Sequence, residues 1–328
     1  LHDDARVRIE RHPAAAGSGT VVITFDPLLY LWPKPPFGMD FLRRQGVDVI
    51  AVQRKDEHFY QALSREVFHR AVQPQLARYT RVVAYGSSLG AYAALYYGRD
   101  LDCEAIASSP RVSVHPVFGV KTWQDKVAFA HERFDPARTP RCRAIVLYDP
   151  REAMDRRYMG GEVLPQFPTA RVLRVPFAGH PVTQFLGDIG FIAPFVRAVV
   201  AGREPPLLDR RQGRLRSATY FQVMAELCAR RGRLPLANEL VERSLALRSS
   251  NMLAHRTRGL VKTLRRDWPE AVASLEHALQ LGPDDPLTLA MLGRARKGLA
   301  GAAVDAGTRV TERSSLARRA WRWVTGRG

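Results

Sequence analysis

Through the first 200 residues, short apolar runs alternate with longer amphipathic ones. Val7–Arg11 alternates apolar and charged side chains, the pattern of an edge strand with one wet face. Thr20–Phe25, Val47–Val52, Val82–Tyr85, Glu104–Ser108, Cys142–Tyr148 and Ala170–Val175 are short hydrophobic runs, and they predict strands buried on both faces. Between them, helical spacing predicts helices over Met39–Gln45 and Phe59–Tyr79, in the alanine-rich run up to Gly98, after the turn within Asp149–Tyr158, and over Phe185–Val200. Strand after helix after strand predicts an α/β fold, a mostly parallel sheet with helices on both faces. Right-handed crossovers then bring every strand-to-helix loop to one edge of the sheet. Two stretches break the pattern. Asp26–Gly38 carries four prolines with Tyr30, Trp32 and Phe37, which predicts a loop draped over the carboxyl edge and a candidate binding loop. Arg111–Pro140, with Phe118, Trp123, Phe129 and Phe134, predicts a lid.

Beyond residue 201 the pattern changes. Gly202–Gly213, with Pro205, Pro206 and several arginines, reads as part of a linker over 202–216. The chain then repeats itself. Pro235-Leu236-Ala237 and Pro269-Glu270-Ala271 lie 34 residues apart, as do Val241 and Leu275, Ser244 and Ala278, and the series Ala225, Gly259, Gly293. A 34-residue period with small residues where paired helices cross, and Pro283 closing a unit, resembles tetratricopeptide (TPR) repeats. The expected organisation is therefore four parts. Residues 1–201 form the α/β domain, 202–216 the linker, 217–300 an all-α domain of two repeats plus a capping helix over Pro286–Leu299, and 301–328 a basic tail. Such an array offers a concave face to a protein partner or packs on its neighbour.

Composition narrows the class. A hydrophobic content of 46% supports a proper core. No run is long and apolar enough to span a bilayer as a helix, and Leu1–Glu10 lacks the basic and apolar regions of a signal peptide. The chain opens without a Met, which points to residues missing upstream. Cys103, Cys142 and Cys228 lie far apart and show no metal-ligand spacing, so free thiols in a reducing compartment, the cytoplasm, are expected. The net charge of +18 comes mostly from arginines spread along the whole length. Without a nucleic-acid motif or aromatic-basic interleaving, it is read as a solvated surface and not as a nucleic-acid footprint. The tail, Thr308–Gly328, has six arginines against one glutamate, with Trp321 and Trp323; if helical, it suits an anionic membrane surface or an acidic partner.

The chemistry centres on Gly86-Ser87-Ser88-Leu89-Gly90. This Gly-x-Ser-x-Gly turn joins a hydrophobic strand to an alanine-rich helix, the setting in which a serine is held on a strained corner with its hydroxyl raised above the sheet. His180, in Val175-Pro176-Phe177-Ala178-Gly179-His180-Pro181, follows the last strand. Asp149, Glu152 and Asp155 follow the strand before it. With these residues in the order serine, acid, histidine, the first 200 residues resemble an α/β-hydrolase domain. The resemblance implies Ser88 as nucleophile, His180 as base and an acid from the loop after Tyr148. Asp149 lies nearest the strand end, Asp155 follows a longer loop, and Glu152 stands third.

A serine ester intermediate also needs oxyanion donors. One is the backbone N–H of Leu89, after the nucleophile. The other is expected from the loop after Thr20–Phe25, and there the sequence departs from a glycine-rich turn. It has Asp26-Pro27, in which Pro27 has no N–H and a carboxylate aimed at the site opposes an oxyanion, so the donor falls to Asp26 or Leu28. His58, His69 and His115 are read as structural or surface residues. The function these features imply is a serine hydrolase, esterase-like, or an acyltransferase, acting on a small-molecule or saccharide ester without cofactor or metal. The alternative is a non-catalytic adaptor that uses the hydrolase fold as a platform and the repeats to bind a protein.

Overall fold

The computed structural model describes residues 1–133, 138–209, 213–283 and 285–302. Phe134 of the expected lid and the basic tail Thr308–Gly328 lie outside the described residues. The chain divides into two compact units, Leu1–Arg214 and a second beginning at Leu215.

In chain order the first unit runs β1 His2–Asp3, β2 Val7–His12, β3 Thr20–Phe25, α1 Met39–Arg43, β4 Asp48–Arg54, α2 Arg65–Leu76, β5 Arg81–Ser87, α3 Leu89–Gly98 and β6 Glu104–Ser108. There follow α4 Lys121–Gln124, β7 Arg143–Tyr148, α5 Ala153–Tyr158, a π-turn at Met159–Val163, α6 Leu164–Gln166, β8 Arg171–Arg174, α7 Val182–Asp188 and α8 Ile192–Val200. The eight strands form one sheet in the order β1-β2-β4-β3-β5-β6-β7-β8. Only β2 runs against its neighbours, β1 and β4; the pairings from β4 through β8 are parallel. This is an α/β fold built on a mostly parallel sheet. Every residue of β4 is buried, and successive strand residues face opposite sides, so both faces of the sheet are covered there.

Register decides where the site lies. Phe25 pairs with Gly86, Ser87 with Ser108, Ser108 with Leu147, and Tyr148 with Arg174. The carboxyl ends of β3, β5, β6, β7 and β8 are therefore level, and the loops leaving them share one edge.

Two helical expectations are corrected. The helix expected from Phe59 begins only at Arg65, because Phe59 and Tyr60 have φ of 54° and 62° and Ser64 caps α2 through Val67 N–H. The closing helix over Phe185–Val200 is two, α7 and α8, bent by 104° about Gly190, whose φ is 73°.

The second unit holds a short 3₁₀ turn, Arg214–Arg216, at its boundary, and then α9 Ala218–Arg230, α10 Leu234–Leu247, α11 Met252–Leu264 and α12 Trp268–Leu281, with residues 286–302 also helical. The pairs α9–α10 and α11–α12 start 34 residues apart, the period read from the sequence, and form TPR-like helical hairpins. A Cβ on Gly259 lies 2.5 Å from Leu275 Cγ, so the small residue there is a steric demand of the α11–α12 crossing. Gly293 has no such neighbour. The tight approach of that last helix is at Gly298, where a Cβ meets the Trp268 ring at 2.6 Å.

Candidate functional site

Ser88 sits between β5 and α3 with φ 54° and ψ −116°, a conformation that only a closely packed corner maintains. The two glycines of the motif make that packing possible. A Cβ on Gly86 falls 2.1 Å from Gly90 O, and a Cβ on Gly90 falls 2.1 Å from Phe25 O. The turn is folded tightly on itself and on the end of β3. Ser88 N–H donates to Ser108 O at 2.8 Å, which ties the corner to β6, and its side chain remains half-buried.

The hydroxyl of Ser88 lies 2.8 Å from His180 Nε2, across 92 residues of sequence. On the other side of the ring, His180 Nδ1 lies 2.9 Å from Asp155 Oδ2. A carboxylate at Nδ1 fixes the tautomer that keeps a proton there and leaves Nε2 free to accept one. Asp155 is 1% exposed, and the imidazole is mostly covered but reaches solvent. The three side chains make one chain of hydrogen bonds, in the order nucleophile, base and orienting acid.

The acid on the imidazole is Asp155 and not Asp149. Asp149 caps the turn it starts, accepting from Arg151 N–H at 2.8 Å, and with its other oxygen accepts Gly179 N–H at 2.9 Å. It holds the loop that carries the histidine, in which Phe177 and Gly179 have φ of 67° and 71°. Burial pushes its carboxyl above the usual range. Glu152 serves as N-cap of α5, accepting Met154 N–H. Arg111, which opens the stretch expected to be a lid, has its Nη1 3.3 Å from Asp155 Oδ1, and its backbone N–H donates to Ser88 O at 3.3 Å. The available signal was its place just beyond the end of β6, next to the elbow strand.

The loop after β3 is pinned throughout. Asp26 is fully buried, and both its oxygens are engaged, one by Phe37 N–H at 2.9 Å and one by Gln53 Nε2 at 3.2 Å. Burial raises its pKa to about 6. The fully buried Arg54 pairs with Glu57 and donates to Pro27 O at 2.6 Å; Glu57 accepts Leu29 N–H at 2.9 Å; and Tyr60 OH donates to Asp26 O at 3.0 Å. Among the described residues no acceptor takes the N–H of Leu28. Leu89 opens α3, so its N–H has no intrahelical acceptor.

Of the other histidines, His58 bonds Arg6 O and Ala62 N–H, His69 lies near Asp100, and His115 accepts from Val117 and Phe118 N–H. None is bonded to the elbow. His131, buried and stacked 4.0 Å from the Tyr96 ring, anchors the segment after α4 through Tyr92 OH at 2.6 Å and Tyr60 O at 2.8 Å. The cavity under that segment, lined by Tyr92, Pro110, Phe129, Tyr158, Glu162 and Phe167, measures about 20 Å³ and admits a water and not an acyl chain. Among the described residues no cluster of acids, histidines and cysteines has the arrangement of a metal site.

No protein-family model matches the chain, and no curated protein matches its sequence. Among solved structures, the chain is similar to an esterase of Pyrococcus furiosus, Pf2001, at 13% identity and a TM-score of 0.38, over 60% of this chain and 90% of that one. It is similar to a monoacylglycerol lipase of Paleococcus ferrophilus at 14% identity and a TM-score of 0.35, over 60% and 97%. It is also similar to the first TPR domain of human RPAP3, at 21% identity and a TM-score of 0.25, over 26% of this chain. An Arabidopsis OM64 TPR domain is 25% identical at a TM-score of 0.24, over 24% of this chain, which spans 66% of each of these two TPR chains. The arrangement of Ser88, His180 and Asp155 stands on its own geometry.

Proposed function

We propose that the first unit is a serine hydrolase, esterase-like, or an acyltransferase, acting on a small-molecule or saccharide ester. One observation carries the reading: Ser88 Oγ at 2.8 Å from His180 Nε2, with Asp155 at 2.9 Å on the opposite ring nitrogen. A serine hydroxyl is a poor nucleophile at neutral pH unless a base takes its proton as it attacks. In this reading Ser88 Oγ adds to the ester carbonyl carbon while its proton passes to His180 Nε2, and Asp155 stabilises the imidazolium without taking the proton. The oxyanion is met by the N–H of Leu89 and by that of Leu28 or Asp26. Collapse of the intermediate breaks the bond to the alcohol, which leaves with the proton from His180. Water, or an acceptor alcohol in a transferase, then attacks the acyl-serine along the same route in reverse. Both Asp26 oxygens are taken by Phe37 N–H and Gln53 Nε2, which supports a carboxylate directed to those donors and away from the oxyanion. For the second unit, its TPR-like hairpins support a role in binding a protein partner.

The test is hydrolysis of p-nitrophenyl esters of short and long acyl chains by the wild type and Ser88→Ala. The expected result is turnover of at least one ester that falls about 10³-fold or more in the variant, as for loss of a serine nucleophile. Equal rates in the two proteins, or no turnover of any ester, reject the reading and favour the adaptor.

A further inference from the structure

We propose that Arg111 is a positioning residue of the Ser88–His180–Asp155 chain, holding the Asp155 carboxylate in place against the imidazole and tying it to the corner that carries Ser88. This deepens the hydrolase reading and rests on it.

Three observations support it. First, Asp155 is buried, and a buried carboxylate remains charged only if it is compensated by hydrogen bonds or an opposite charge. His180 Nδ1–H supplies one bond, to Oδ2, but a neutral imidazole supplies no charge. Arg111, on Oδ1, supplies the charge. Second, Arg111 touches both ends of the triad. Its backbone N–H is bonded to the carbonyl of the nucleophile and its guanidinium to the acid, so one residue links the two ends that the imidazole bridges. Third, the contact is economical of freedom: the side chain is 19% exposed, and the backbone is anchored by the bond to Ser88. The remaining charged groups near the ring do not duplicate this. Asp149, at the end of β7, is spent on Gly179 and Arg151 N–H, and the Arg151 guanidinium lies over the Phe177 ring, 5.4 Å from its centre.

The consequence is a coupling. Without the guanidinium, Oδ1 loses its partner and the carboxylate is held at Nδ1 by the imidazole alone, so the loss is felt through Asp155.

The experiment uses the full chain. The second-order rate of labelling by an alkyl fluorophosphonate and urea unfolding are measured for the wild type, Arg111→Gln, Arg111→Lys, Asp155→Asn and the double variant Arg111→Gln/Asp155→Asn. Arg111→Gln is expected to slow labelling about tenfold, with Arg111→Lys recovering most of it. Because Arg111 acts through the carboxylate, the same substitution is expected to have little effect in the Asp155→Asn background. An equal loss in both backgrounds overturns the proposal, since it reports only a disturbed structure, and so does labelling of Arg111→Gln at the wild-type rate. Non-additive unfolding of the two substitutions in a chain that no fluorophosphonate labels rejects the hydrolase reading and leaves the hold of Arg111 on Asp155 standing; additive unfolding in such a chain rejects both.

Discussion

At the residue scale, two aspartates from one connection carry different work, and their surroundings decide which does what. Asp155 faces a ring nitrogen and a guanidinium; Asp149 faces two backbone N–H groups. Asparagine separates the roles. In Asp155→Asn the amide presents a donor to Nδ1 and favours the tautomer with its proton on Nε2, facing the serine, so ester hydrolysis is expected to fall about 10³- to 10⁴-fold with little change in stability. In Asp149→Asn the side-chain oxygen still accepts one of its two bonds, so activity is expected to remain within about tenfold while the histidine loop loosens, at about 1–2 kcal/mol of stability. Ester hydrolysis and urea unfolding of both variants check this, and the reverse ranking of activities contradicts the assignment. The sequence placed all three acids in the right connection but could not choose among them. Nearness to a strand end says nothing about which carboxylate an imidazole reaches. The choice was made by the turn Asp149 caps and by the start of α5, which turns Asp155 inward.

At the element scale, the connection from β3 to α1 replaces a glycine-rich turn with one held from outside. Asp26, Gln53, Arg54, Glu57 and Tyr60 fix the path of Pro27–Leu29, and no glycine is needed to hold it. The strands and the elbow were legible because hydrophobic runs and the Gly86–Gly90 spacing are local signals. This network was not, since Arg54 and Glu57 look like surface charges in a sequence and only folding buries them. The helix expected from Phe59 began late for a related reason, because Phe59 and Tyr60 adopt left-handed conformations that no local pattern announces. The network has a pH signature. The folded state raises the Asp26 pKa to about 6 from 3.8, so it binds that proton more tightly than the unfolded chain does. The stabilisation this gives is complete below about pH 4 and lost as pH rises through 6; at pH 8 the ionised buried carboxylate has lost the whole of it, about 3 kcal/mol. Asp26→Asn keeps an acceptor for Phe37 N–H and removes the ionisation. Relative to the wild type it is expected to gain about 1–3 kcal/mol between pH 4.5 and pH 8 in urea unfolding. A difference independent of pH contradicts this account of the loop.

At the scale of the whole molecule, the central claim is a convergence. Ser88 leaves β5, Asp155 lies beyond β7 and His180 follows β8, and level parallel strands bring the three to one edge. The order of residues and the alternation of elements were enough to anticipate that meeting, because parallel topology converts order along the chain into position along an edge. The repeats of the second unit were legible for a similar reason, since a fixed period reports a fixed packing; only the contact at Gly298, outside the period, escaped. The size of the cavity between Tyr92, Phe129 and Tyr158 was not legible, because it depends on how the aromatic side chains of distant segments fill one another's space. The most direct test is the intact mass and peptide map of the chain after treatment with an alkyl fluorophosphonate, for the wild type and His180→Ala. The account predicts one phosphonyl adduct, on Ser88, formed at least about 10³-fold more slowly without the imidazole. An adduct elsewhere, none at all, or equal rates in the two proteins contradicts it.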